Sequence, residues 1–211
     1  MICVSVANIE FLELKALISD FEMLELRLDL LNYSKKEYQY IYQLNKPVIA
    51  TFRKNTTATD KQRIEHLKNA IEEGAQFIDI DIENKPDFIN TIKDFAQFNN
   101  CKIILSYHNY TRTPSLKQLN TILSRAKSLK PDFIKIVTTA QNQSDITKIV
   151  SLYENNDNLI AFNMGEMGKI SRLVSLYLGA PFTYASVSKQ KATAEGQLTY
   201  IDLKKLQEIL K

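Results

Sequence analysis

Three residues of this chain have types and positions that could do chemistry together: Lys135, His108 and Glu83. Lys135 is set in Phe133-Ile134-Lys135-Ile136-Val137, an apolar, β-branched run that reads as a buried strand. Burial disfavours the charged form of an amine, and a partly neutral amine is a nucleophile that can form a Schiff base with a ketone or aldehyde. A salt-bridged or snorkelling lysine is the other reading of the same window. His108 closes the run Ile103 to His108, which places it at a strand end, where imidazole could serve as general acid and base. A core histidine satisfied by a backbone carbonyl is the plainer reading. The chain's other histidine, His66, lies beside Glu65 off the stripe Ile64, Leu67 and Ile71, and reads as a surface residue. Glu83 closes the preceding apolar run, so it is expected to flank His108 and fix its tautomer.

The elements that must position these groups are short and regularly spaced. β-branched runs occur at Ile2 to Ala7, Met23 to Asp29, Val48 to Arg53, Phe77 to Glu83, Ile103 to His108, Phe133 to Thr138, Leu159 to Met164 and Phe182 to Val187. Helical patterns fill most gaps: Ile64, Leu67, Ile71; then Leu116, Leu119, Ile122, Leu123; then Ile170, Leu173, Val174, Tyr177. Strands alternating with helices in this number predict an α/β protein, a closed (β/α)8 TIM barrel. Pro86 and Pro114 fall at helix starts, with Thr113 as the expected N-cap before Pro114.

Two strands carry charge in alternation, Glu25, Arg27, Asp29 against Leu24, Leu26, Leu28, and Asp79, Asp81, Glu83 against Ile80, Ile82. A barrel strand has helices outside and side chains in its lumen, so the aliphatic set should face the helices and the charged set should point inward. Inward charges at C-terminal strand ends are where barrel enzymes keep their chemistry. Arg27, Arg53 and Arg172 are the inward or rim guanidiniums, suited to a carboxylate or a vicinal diol. Gly165, Gly168 and Gly196 lie in the last two strand-to-helix loops, where barrels often build an anion site. Gly165-Glu166-Met167-Gly168-Lys169 lacks P-loop spacing, but the helix start it leads to, with Arg172, could hold an anion.

Composition narrows the function classes. A chain of 211 residues suits one barrel domain spanning 1–211, and no apolar run is long enough for a membrane helix. Met1 to Ala7 reads as a strand rather than a signal peptide, which suits a cytoplasmic protein. Cys3 and Cys101 lack metal-ligand spacing and read as buried thiols, so no metal is expected. The net charge of +3 is spread over helices that also carry Asp and Glu, and the tyrosines are not clustered among basic residues, so neither nucleic acid nor membrane is an expected partner. A small anionic substrate fits the mildly basic balance.

In order along the chain, Leu24-Glu25-Leu26-Arg27-Leu28-Asp29, Thr51-Phe52-Arg53, Asp81-Ile82-Glu83, Ser106-Tyr107-His108-Asn109, Lys135-Ile136, Ile170-Ser171-Arg172-Leu173 and Gly196-Gln197 resemble the motifs of the type I 3-dehydroquinate dehydratases, the Schiff-base enzymes of the shikimate pathway. The resemblance covers nearly the whole chain. It implies that Lys135 forms an imine with the C3 ketone of 3-dehydroquinate, and that His108, held by Glu83, removes a proton from C2 and then protonates the departing C1 hydroxyl. It further implies that Arg172 and Gln197 hold the substrate carboxylate, that Glu25 and Arg53 contact ring hydroxyls, that Arg27 supports them, and that Met164 and Tyr184 wall the ring. Thr193 belongs to the loop that closes over substrate. No cofactor is implied, and a homodimer is. The chain departs from the family in lacking the N-terminal hairpin that many members have. It also carries Tyr184 where Phe is common, Thr193 where Ser is common and Glu195 where Pro is common.

Two other readings fit parts of this pattern. Another imine-forming barrel, such as a sugar-phosphate aldolase, would need a phosphate nest in the late loops. A catalytically silent barrel that binds a metabolite or a protein would not need Lys135, His108 and Glu83 together.

Overall fold

A computed structural model describes residues 1–210. Its strands are β1 (Ile2–Val6), β2 (Met23–Arg27), β3 (Val48–Thr51), β4 (Phe77–Asp81), β5 (Lys102–Asn109), β6 (Phe133–Thr139), β7 (Leu159–Met164) and β8 (Thr183–Ser186). Between and after them run α1 (Phe11–Leu17), α2 (Lys35–Tyr42), α3 (Asp60–Glu72), α4 (Pro86–Phe98), α5 (Leu116–Ser128), α6 (Gln143–Val150), α7 (Lys169–Tyr177) and α8 (Tyr200–Ile209). Neighbouring strands pair in parallel in the order β7-β6-β5-β4-β3-β2-β1-β8, which makes a (β/α)8 barrel. Among the described residues no ladder joins β7 to β8. That seam is spanned by side chains, with the Phe162 and Tyr184 rings 6.0 Å apart.

Strand alternation sorts the interior into two layers, as the sequence led us to expect. Leu24, Leu26, Ile78, Ile80, Ile134 and Ile136 join the helices in an outer core. Each such side chain, fully buried, is worth roughly 1.5–3 kcal/mol. Cys3, Met23, Ile49, Ile104, Val137, Ile160, Phe162, Phe182 and Tyr184 form a separate apolar cluster in the lumen. Phe77, Phe133 and Phe182 meet there edge to face or tilted. Above this floor the inward positions become polar: Ser5, Glu25, Thr51, Asp79, Ser106 and Lys135 are all buried.

Helix starts follow local side-chain chemistry. Ser34, Thr59 and Ser115 form reciprocal capping boxes with Glu37, Gln62 and Gln118, and Pro86 opens α4. Ser115, not Thr113, therefore caps the helix after β5. The Thr113 hydroxyl is buried instead, 2.9 Å from the Thr138 hydroxyl and donating to the Thr139 carbonyl. α7 also differs from its apolar spacing. Ile170 and Tyr177 are exposed, while Ser171, Arg172, Leu173 and Ser175 are buried. Small hydroxyl residues let this helix sit close on β7, where Ser171 Oγ accepts from the Asn163 N–H at 2.7 Å. That face carries Arg172 inward.

Candidate active site

Lys135 projects from the middle of β6 into the polar layer and is 4% exposed. Its Nζ donates to Asp79 Oδ2 at 3.0 Å, lies 3.6 Å from Glu25 Oε1, and sits 3.9 Å above the centre of the Tyr184 ring. The amine is thus both buried and ion-paired, which joins the two readings of its strand. Each carboxylate is itself fixed: Glu25 accepts from Ser5 Oγ at 2.6 Å and Thr51 Oγ1 at 3.0 Å. Asp79 accepts from Ser106 Oγ at 2.6 Å and from Arg53 Nη2 at 2.7 Å. Burial alone would raise both acids, but for Glu25 the Lys135, Arg53 and Arg27 charges together, and for Asp79 the Arg53 and Lys135 charges, more than reverse this and hold them below the ordinary carboxylate range.

His108 ends the inward row of β5, one strand from Lys135, and its ring stacks against Tyr110 at 5.9 Å. Burial, helped by the nearby Arg53 guanidinium, pulls the imidazole down to about 4 despite a hydrogen bond to Asp81. It is therefore neutral at pH 7. The carboxylate beside it is Asp81, with Oδ2 at 3.2 Å from Nδ1. Burial would raise Asp81, but the contact with His108, the Arg53 guanidinium and the Glu83 N–H together outweigh it and lower the acid.

Glu83 does not flank His108, contrary to the expectation from its place in the run. β4 ends at Asp81, whose Oδ1 accepts the Glu83 N–H at 2.9 Å in a local turn. The turn breaks the alternation and sends Glu83 outside, where its side chain is 60% exposed and meets Arg125 at 3.1 Å. The inward row stops one carboxylate earlier than a continuous strand would carry it.

Every other expected site residue lines one cavity of ≈ 430 Å³, its mouth included: Glu25, Arg27, Arg53, His108, Lys135, Met164, Arg172, Tyr184, Thr193 and Gln197. Arg27 grips Asp29 through two hydrogen bonds, at 3.0 and 2.6 Å, and Asp29 also accepts the Arg53 N–H at 3.3 Å. Arg27 is thereby joined through Asp29 to the backbone of Arg53 at the rim. Ser5, Tyr110, Val137, Phe162 and Ala194 complete the lining. Ser5, Ser106 and Tyr110 carried no charge signal in the sequence. Asp79 and Asp81 did carry one, as members of the inward alternation.

Arg172 differs from the other cations of the site. It is 2% exposed, lies over the Phe162 ring at 4.3 Å, and has no carboxylate partner among the described residues. Its Nε is buried without any hydrogen-bond partner, and burial pushes the guanidinium down to about 10. Beside it, Gln197 accepts the Thr193 N–H at 2.8 Å and the Thr193 hydroxyl at 3.1 Å through Oε1. That leaves the Nε2 hydrogens as donors for something else. The loop is fixed across the β7–β8 seam: the Gly165 N–H donates to the Glu195 carbonyl at 3.0 Å, and Gly196 adopts φ +70 with its α-carbon so close that a Cβ would lie 2.2 Å from the Gly165 oxygen.

Taken together, the site offers a buried amine, a neutral imidazole oriented by a carboxylate, and an anion pocket with an uncompensated cation. Comparison with known proteins gives this arrangement a family. The family model described as type I 3-dehydroquinase matches residues 2–211. The 3-dehydroquinate dehydratase of Methanococcus vannielii is 34% identical, with 100% of this chain and 98% of that protein covered. That of Methanococcus maripaludis is 35% identical over 90% of this chain and 87% of its own length. The crystal structure of the 3-dehydroquinate dehydratase from Aquifex aeolicus superposes with a TM-score of 0.84 at 24% identity, covering 99% of this chain and 98% of that one. The type I enzyme from Clostridium difficile, crystallised with covalently modified comenic acid, gives 0.85 at 21% identity, covering 99% and 91%. The barrel with its helices is the fold of those structures, and the chain belongs to the type I 3-dehydroquinase family.

Proposed function

We propose that this chain dehydrates 3-dehydroquinate to 3-dehydroshikimate through an imine on Lys135, with His108 as general base and acid. The family supplies the reaction, and the geometry supports the assignment of its steps to residues. Lys135 Nζ attacks the C3 ketone, the carbonyl oxygen leaves as water, and the nitrogen keeps one hydrogen and the positive charge. The iminium acidifies the C2–H bond by accepting its electron pair as an enamine. His108, neutral at pH 7, takes the proton. A base pulled down to about 4 is weak, but an anionic substrate placed in the cavity opposes Arg53 and raises it toward its task. The enamine then expels the C1 hydroxyl, to which His108 returns the proton. Water hydrolyses the product iminium and restores the amine.

Asp81 replaces Glu83 as the group that orients His108. With Nδ1–H directed at Asp81, the Nε2 lone pair is left for the substrate. Arg172 and the Gln197 amide receive the substrate carboxylate, while Glu25 and Arg53 stand where ring hydroxyls would meet them and Met164 and Tyr184 bound the ring.

The observation that carries this reading is Arg172: a buried guanidinium with no carboxylate partner among the described residues, lining the same cavity as Lys135 and His108. A structural ion network would have paired it. A planar carboxylate satisfies it through two parallel hydrogen bonds. The test is to add 3-dehydroquinate, reduce with borohydride and weigh the protein. An adduct mapped to Lys135 is expected, and an unchanged mass under turnover, or an adduct on another lysine, would sink the assignment.

A further inference from the structure

Turning the Lys135 ammonium and a ketone into an iminium and water moves two hydrogens from nitrogen to oxygen, because the ammonium carries three and the iminium keeps one. A group beside the nitrogen and open to the ketone must carry them. Two carboxylates stand at the nitrogen, and they are held differently. Asp79, 3.0 Å from Nζ, is bound by Arg53 Nη2 at 2.7 Å and by Ser106 Oγ at 2.6 Å, and it is not among the residues that line the cavity. A guanidinium does not give up its proton, so Asp79 faces a permanent charge and stays ionised. Glu25 does line the cavity, with Oε1 3.6 Å from Nζ, and its hydrogen-bond donors are the neutral hydroxyls of Ser5 and Thr51.

We infer that Glu25 is the proton carrier of imine formation: it takes two hydrogens in turn from the Lys135 nitrogen and delivers both to the departing ketone oxygen. Rotation about the terminal bonds of the lysine closes the 3.6 Å to hydrogen-bond length. In the first transfer the ammonium proton passes to Glu25 Oε1 and the free amine attacks C3. The carbonyl π pair moves to oxygen, and that oxygen takes the proton back from Glu25. In the second transfer Glu25 accepts a proton from the nitrogen, now cationic and bonded to C3, and gives it to the new hydroxyl. The nitrogen lone pair then forms the C=N bond as the C–O bond breaks and water leaves. Net charge is the same before and after, and Glu25 ends as a carboxylate. Hydrolysis of the product iminium runs the same steps backwards. Burial raises Glu25, and the Lys135 ammonium is foremost among the charges that hold it down. That opposition vanishes as the proton leaves the nitrogen while burial remains, so the carboxylate becomes a stronger base as the transfer proceeds.

This inference rests on the imine reading of Lys135, and the experiment separates the two. The probe is 3-dehydroshikimate, the product ketone, which forms the imine with no C1 hydroxyl left to lose. Protein is mixed with it, quenched with borohydride at increasing times and weighed, which gives a maximal rate of adduct formation and a half-saturating concentration. Glu25→Gln keeps the shape and removes the proton acceptor, and the maximal rate is expected to fall by about 10²-fold or more, the scale of a positioned acid–base group. Glu25→Asp should keep more of the rate than Glu25→Gln, and formate should restore part of the rate lost in Glu25→Ala where chloride at equal ionic strength does not. If Glu25 served only to hold the ammonium, neutralising it would free the amine, so an unchanged or faster rate in Glu25→Gln overturns the carrier while leaving the imine intact. A raised half-saturating concentration at an unchanged maximal rate overturns it too, as does a loss in Glu25→Ala that formate leaves untouched. If His108→Ala loses the rate and Glu25→Gln keeps it, the carrier is His108. No adduct on Lys135 in the wild-type protein overturns the imine and this inference together.

Discussion

Asp81 Oδ2 lies 3.2 Å from His108 Nδ1, at the C-terminal ends of two adjacent strands, and this contact gives the imidazole its direction. Asp81 is fixed in turn: its Oδ1 accepts the Glu83 N–H and its carbonyl accepts Asn84 Nδ2 at 2.8 Å. Replacing Asp81 with Asn offers the ring an amide that can donate to Nδ1 and select the wrong tautomer. We expect Asp81→Asn to lower kcat by roughly 10²-fold, the scale of a misplaced general base, with KM little changed. With only two histidines in the chain, ring 15N shifts in a His66→Gln background report the His108 tautomer directly. A wild-type spectrum and a wild-type kcat in Asp81→Asn would remove Asp81 from this role.

Glu83 supplies the contrast. Its side chain reaches Arg125 on the outer surface, where an exposed ion pair contributes about 0–1 kcal/mol. Glu83→Gln should leave kcat within about twofold and the melting temperature nearly unchanged. A large loss of kcat in Glu83→Gln, with Asp81→Asn active, would reverse the assignment.

These two acids show where the sequence was legible. Period-two alternation identified the inward row containing Asp79, Asp81 and Glu83, and the β-branched runs located all eight strands to within a few residues. Alternation cannot say where a strand stops, and here a side-chain-to-backbone hydrogen bond ends it at Asp81. The buried face of α7 was hidden for a related reason. Apolar spacing pointed to Ile170 and Tyr177, yet close packing across an open seam selects Ser171 and Ser175, and the ligand pocket selects Arg172. Ser5 and Ser106 were invisible because a serine that anchors a carboxylate resembles any other serine until the barrel brings their strands together.

Arg172 should show a trade between stability and binding. A buried cation that meets no carboxylate among the described residues costs folding free energy, which substrate restores on binding. Arg172→Met keeps much of the volume and removes the charge. We expect the free protein to melt a few degrees higher, since ~1 kcal/mol shifts a chain of this size by ~2–4 °C, while KM for 3-dehydroquinate rises by 10²-fold or more. Differential scanning calorimetry and steady-state kinetics on one preparation test both halves. A lower melting temperature with unchanged KM would show the guanidinium to be structural.

Gly196 allows a test of the late loops without touching a polar group of the site. Any side chain there meets a φ of +70 and the Gly165 backbone at once. Gly196→Ala must push the two loops apart, and with them the Gly165–Glu195 hydrogen bond and the adjacent Gln197. The expected result is weaker substrate binding by about tenfold, with Lys135 still trapped by borohydride at saturating substrate. Wild-type KM in this variant would show that the loop contact does not position Gln197.

The pH dependence of folding follows from His108, and its sign can be worked out. The imidazole is held at about 4 in the folded chain, against an unfolded value near 6.5. A neutral histidine buried in this way contributes its full stability above the unfolded value. Between pH 6.5 and 4 the unfolded state binds the proton and the folded state does not, so stability falls as pH falls through that window. The loss approaches roughly 3 kcal/mol at pH 4, at ~1.4 kcal/mol for each pH unit. Glu25, Asp79 and Asp81, all lowered in the folded state, lose their contributions only further down, as pH falls from the ordinary carboxylate range through their depressed values. The two effects therefore separate along the pH axis. Melting temperatures measured from pH 7 to pH 4.5 should decline in the wild type and flatten in His108→Gln, which cannot titrate. If both proteins decline in parallel, the acid sensitivity belongs to other groups and His108 is not held neutral by its site.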